Sequence, residues 1–171
     1  MHQQQQLNLL LRSFLQRLNA EEELLHAALR VASDLYTALR NGGLASIKDL
    51  QPRQDQLATE LRSAADRREA EKTRLGRMLG LEPERLTLSL LAKQLGEPWS
   101  TDILAARDRL SEITTQLSEF QQRNANLVHH LRSYFRSVLS ALTRTAEAPI
   151  RYGASGACLT PTFGAAIKAR G

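Results

Sequence analysis

Cysteine occurs once in 171 residues, at Cys158, and aromatic side chains make up only 5% of the chain. No run of apolar residues approaches the ~18 that a membrane-crossing helix requires. A lone cysteine excludes an internal disulfide and fits a reducing compartment. The polar stretch Met1 to Gln6 lacks the charged-then-apolar layout of a secretory leader. A cytoplasmic protein with no direct membrane insertion is the expectation. β-branched residues are sparse as well, which works against sheets.

The constellations that carry chemistry are also missing. The histidines are His2, His26, His129 and His130. Adjacent residues on a helix point about 100° apart, so His129 and His130 cannot face one metal ion. Glu23-x-x-His26 has no mate of the kind a di-metal carboxylate bundle needs. Without a strand, no glycine-rich turn can act as a phosphate loop. Cys158 sits among glycines with no evident base to activate it. No catalytic, metal or cofactor site is expected, and the chain does not read as an enzyme.

What is present is helix-forming material: Leu, Ala, Gln, Glu and Arg dominate. From residue 4 to 41 the positions Leu7, Leu11, Phe14, Leu18, Glu21, Leu25, Ala28, Ala32, Leu35 and Leu39 alternate in steps of four and three. That rhythm lays one stripe along a helix suited to near-parallel packing. Asn41-Gly42-Gly43 stops it. Ser46 and Asp49 resemble a capping box, and with Pro52 they place the start of a second helix near Gln51. Its seam runs Ile47, Leu50, Gln54, Leu57, Leu61, Ala64, Arg68, Glu71, Leu75 and Met78, ending at Leu79-Gly80. So short a turn between long helices forces an antiparallel hairpin. Leu86 to Leu95 reads as a short connecting helix, with Trp99 anchoring the connection on the core.

Ser100, Thr101 and Asp102 read as the cap of a third long helix. Its seam is Ile103, Ala106, Leu110, Ile113, Leu117, Phe120, Asn124, Leu127, Leu131, Tyr134, Val138 and Ala141. Phe135, Leu139 and Leu142 broaden the stripe near its end, and a broad stripe can touch a neighbour and a guest together. Leu131 and Tyr134 lean towards core, Phe135 and Leu142 towards a partner. The fold class is therefore all-α: an antiparallel bundle of three long helices plus a short connecting helix, with an irregular C-terminal tail. The bundle is assigned to residues 1–148 and a flexible docking tail to 149–171. Within Ile150 to Gly171 there are four glycines, a proline and no acidic residue.

Polar residues interrupt the seams at Glu21, Gln54, Arg68, Glu71 and Asn124. Counting outward from Gly42-Gly43 puts Glu21 about one turn from Arg68, so the two are expected to pair and fix the register of the hairpin. The net charge of +5 raises the possibility of nucleic acid. The cations, however, alternate with acids, as in Asp66-Arg67-Arg68-Glu69-Ala70-Glu71-Lys72, which is the pattern of a solvated helix face.

In this order of elements the chain resembles the FlgN family of flagellar type III export chaperones. The resemblance rests on Glu21-Glu22-Glu23-Leu24-Leu25 in the first helix, and on Gln54 with Arg67-Arg68-Glu69 in the second. It extends to Asn124-Ala125-Asn126-Leu127 in the third helix and to Tyr152-Gly153-Ala154-Ser155-Gly156 beyond it. It implies a cytosolic chaperone for the hook–filament junction proteins FlgK and FlgL, delivering them to the export gate protein FlhA. Carried onto this chain, the cargo surface is Leu127, Leu131, Tyr134, Phe135, Val138, Leu139 and Leu142, and the gate contact is Tyr152, Gly153 and Gly156. Three readings stay open at this point: the export chaperone, a structural coiled coil whose stripes are satisfied by self-association, and a basic nucleic-acid binder. Self-association through the tail or the groove belongs to the same set.

Overall fold

The computed structural model describes the backbone of residues 2–146 and, apart from Pro83, the side chains of residues 4–143. These form α1 (His2–Asn41), α2 (Leu44–Leu79), a single 3-10 turn at Pro83–Arg85, α3 (Leu88–Leu95) and α4 (Trp99–Ala146). No strand occurs among the described residues. The chain divides into two compact units, residues 1–129 and 130–171. The expected boundary at 148/149 lies outside the described residues.

α1 runs for 40 residues without glycine or proline, so nothing in its backbone interrupts the hydrogen-bond ladder. Gly42, at φ +69°, ends it. The next amide, Gly43, reaches back to the Ala38 carbonyl at 2.9 Å, closing the helix as a glycine stop does. α2 begins at once, with Gly43 in the capping position and no side chain capping it. Ser46 and Asp49 therefore lie inside α2 rather than in front of it. Pro52 is exposed within its third turn. There it removes one intrahelical hydrogen bond on a face that water reaches, which is why the helix starts seven residues before Gln51. At the far end Gly80, at φ +67°, closes α2 through bonds from its own amide to Arg77 and from Leu81 to Gly76.

Thr87 caps α3, its hydroxyl accepting the Leu90 amide at 3.1 Å. α4 starts at Trp99, with the Ser100 amide bonded to the Gly96 carbonyl. Ser100, Thr101 and Asp102 thus occupy the first turn instead of preceding it, and the Thr101 hydroxyl turns to the Glu97 carboxylate at 2.8 Å. Asp102 still places negative charge at the positive end of the helix.

Within residues 1–129 the core is concentrated at one end. Leu11, Phe14 and Leu18 of α1 meet Leu75 of α2, Leu86, Leu91 and Ala92 around α3, and Ile103, Ala106 and Leu110 of α4. Trp99 packs against this cluster, as its place in the connection suggested. Further along, the buried residues become smaller or fewer: Ala32 and Ala38 of α1, Ile113 and Leu117 of α4. α2 runs antiparallel to α1, since Glu71 reaches Ser13 while Arg68 reaches Glu21. α4 runs in the direction of α1: Arg109 bonds Glu22, and Asn124 bonds Ala32.

Candidate partner-binding surface

Several polar residues inside the bundle are bonded to a neighbouring helix. Arg68 Nη1 donates to both carboxylate oxygens of Glu21, at 2.8 and 2.9 Å. Glu21 is buried and Arg68 half-buried. Burial pushes the Glu21 carboxyl above its ordinary value, because the charged form loses water, while the charge and hydrogen bonds of Arg68 pull the other way. A second carboxylate, Glu71, is buried one turn on and accepts from the Ser13 hydroxyl and from Arg17 Nε at the same oxygen. Its other oxygen has no hydrogen-bond partner among the described residues. Asn124 is buried and donates to the Ala32 carbonyl at 2.9 Å, which locks α4 to α1 at one height. Gln54, by contrast, is exposed and takes no part in the seam.

The sequence placed Glu21, Arg68 and Asn124 among the seam polar residues, and the structure brings each to a specific partner. Arg17 was missed. Its signal was faint, for Arg17 stands one position before a seam leucine and reaches inward from the helix flank.

The second half of α4 is different. Leu127 is half-buried at the end of the first unit. In the second unit Leu131 is half-buried, and Tyr134, Phe135, Val138, Leu139 and Leu142 are exposed, by 65, 60, 37, 61 and 61% respectively. At about 100° per residue, the side chains from Leu131 to Leu142 project within an arc of roughly 140° on one face. Tyr134 and Phe135 stand edge to face, with centroids 5.9 Å apart. Tyr134 and Val138, placed by the heptad count on the bundle seam, are on the surface. The heptad count reports which face is apolar and not whether another helix covers it.

Monomeric proteins rarely leave a run of large apolar side chains in water unless it is used. An exposed face of aromatic and aliphatic residues at helical spacing is the form in which a groove accepts an amphipathic helix. Among the described residues no cluster of His, Cys, Asp and Glu could hold a metal ion, and no helix is long and apolar enough to cross a membrane. The candidate gate residues Tyr152, Gly153 and Gly156 lie outside the described residues.

Fold and surface together define a class, a helical bundle with an exposed apolar face on one long helix. The chain belongs to the FlgN family: the family model described as FlgN protein matches residues 2–159. That makes it a flagellar export chaperone, of a family of chaperones and not of enzymes. No curated protein and no solved structure matches the chain.

Proposed function

We propose that this protein is the cytoplasmic chaperone of the hook–filament junction proteins FlgK and FlgL, and that it delivers them to the export gate protein FlhA. The reading is carried by the exposed strip of α4. Leu127, Leu131, Tyr134, Phe135, Val138, Leu139 and Leu142 form the cargo surface, on which the C-terminal helical region of a junction protein lays its apolar face. Burying these side chains under a partner helix supplies the driving force, at roughly 25 cal/mol per Å² of apolar surface removed from water. Tyr152 is the anchor of the gate contact, offering a large amphipathic side chain, and Gly153 and Gly156 let backbone approach closely.

Two substitutions separate the roles. Leu139→Asp places a charge in the middle of the strip and should abolish co-purification of FlgK and FlgL. Tyr152→Ala should leave capture intact and reduce secretion of the junction proteins. If Leu139→Asp captures cargo as well as the unaltered chain does, the strip is not the cargo surface.

A further inference from the structure

The cargo strip has two unlike margins. Along one of them, beside Leu139, stand Arg132 and Arg136, one helical turn apart and both exposed. Along the other stand Ser137 and Ala141. Some arginines elsewhere in the chain are matched to acids, Arg17 to Glu71, Arg68 to Glu21, Arg109 to Glu22 and Arg123 to Glu119, and others, such as Arg12 and Arg62, are not matched among the described residues. Arg132 and Arg136 have no acidic partner among the described residues. The sequence explains why, for no Asp or Glu occurs from residue 120 to residue 146.

Resting on the cargo reading above, we infer that the strip selects an amphipathic helix with an acidic edge. Its apolar row lies on Leu131 to Leu142, and its Asp or Glu residues, spaced one turn apart, face Arg132 and Arg136. The guanidinium forks suit carboxylates, which they can bind in pairs of parallel hydrogen bonds. Because Arg132 and Arg136 both stand beside Leu139, the acidic edge also fixes which way round the visiting helix is rotated.

The same charges argue against two occupants near to hand, the chain's own tail and an antiparallel second copy. Residues 148–171 contain Arg151, Lys168 and Arg170 and no acid, so the chain's own tail would bring cations to a cationic edge. A second copy of the strip laid antiparallel would oppose arginines to arginines. Like charges brought together across an interface are a device against wrong partners.

The test measures binding of purified FlgK and FlgL to the full chain at low and at physiological salt. It compares the unaltered protein with Arg132→Glu/Arg136→Glu, Arg132→Lys/Arg136→Lys and Leu139→Asp. All substituted side chains are exposed, so melting temperatures serve as the check on folding. The doubly reversed variant should bind about tenfold more weakly and lose the salt dependence shown by the unaltered protein. The lysine variant should keep most of both.

Unchanged affinity in the reversed variant, with binding lost in Leu139→Asp, overturns the acidic edge and leaves the cargo surface standing. Unchanged binding in Leu139→Asp overturns the cargo surface itself. Weaker binding with the salt dependence intact also counts against the acidic edge. Displacement of cargo by a peptide of residues 148–171 would make the tail the occupant. A concentration-dependent dimer dissolved by Leu139→Asp would make it a second copy.

Discussion

The two parts of α4 follow the same rule of spacing and meet opposite fates. In the first unit Ile103, Ala106, Leu110, Ile113 and Leu117 recur at steps of three and four and are all buried. In the second unit Leu131, Tyr134, Val138 and Leu142 recur at similar steps, and all but Leu131 are exposed. A heptad pattern is thus a statement about one face of a helix. The neighbours decide whether that face is core or contact surface, and their presence is not written in the local sequence. The composition does differ. The buried stretch uses Ile, Leu and Ala, which fill a core without polar atoms. The exposed stretch brings in Tyr134 and Phe135, the residue types that concentrate binding energy at protein interfaces.

That comparison is sharpest when equivalent truncations are made in both places. Phe14→Ala empties a fully buried site in the main cluster and should lower unfolding stability by about 3–5 kcal/mol. Phe135→Ala, at a side chain 60% exposed, should change stability by less than about 0.5 kcal/mol. Its effect should appear in cargo affinity instead. Denaturant unfolding of the two variants checks this, and a loss above about 2 kcal/mol for Phe135→Ala would place the strip in the core.

The register pair gives the next largest effect. Arg68→Leu leaves the buried Glu21 carboxylate without its cation and should cost about 2–3 kcal/mol. Glu21→Leu leaves an arginine whose side chain is 32% exposed and so can turn to water. It should cost about 1 kcal/mol or less. The double leucine variant should be less destabilised than the sum of the two, showing that the residues act as a unit. Additive losses would mean that the ion pair contributes nothing beyond its separate side chains.

The same carboxyl makes a smaller, pH-dependent difference. Its value in the folded protein is raised above 4.5, so over the interval just above 4.5 the folded chain holds a proton that the unfolded chain has released. The associated stabilisation is complete below 4.5 and is lost as pH rises through the raised value. The stability of the unaltered protein minus that of Glu21→Gln should therefore increase as the solution is acidified from neutrality. Melting curves of both proteins between about pH 4.5 and 7 measure it. A difference that shrank on acidification would mean that Arg68 outweighs burial and holds the carboxyl low.

Much of the architecture was legible because glycine and helix propensity mark it locally. Gly42 and Gly80 end helices by adopting backbone that other residues resist, and the seams between them set the hairpin register closely enough to pair Glu21 with Arg68. Helix starts were harder to read. Ser46, Asp49, Ser100 and Asp102 have capping chemistry, yet they lie inside helices that begin earlier, because the preceding backbone supplies acceptors of its own, as Gly96 does for Ser100. Thr87, which does cap α3, sits in a short apolar stretch where no long periodic pattern draws attention to it. At the candidate site, the apolar residues were visible from spacing. The arginine margin was not, because it is defined by the absence of acids within reach as well as by Arg132 and Arg136 themselves.

The weakest expected effect tests whether charge at the well-packed end works as charge does on the strip. Arg109 Nε donates to Glu22 at 2.9 and 3.0 Å, joining α4 to α1, with the arginine side chain 49% exposed. Half in water, such a pair contributes about 0.2–1 kcal/mol, a small increment to helices already held by Leu18, Ala106 and Leu110. Arg109→Ala should lower stability by that amount and leave cargo binding unchanged, whereas Arg132→Ala should leave stability unchanged and weaken cargo binding. The two arginines then differ in what they meet and not in what they are: one is answered by an acid of its own chain, and the other waits for an acid that a partner brings. Equal effects of both substitutions on stability would erase that distinction and make Arg132 an ordinary member of the solvated helix surface.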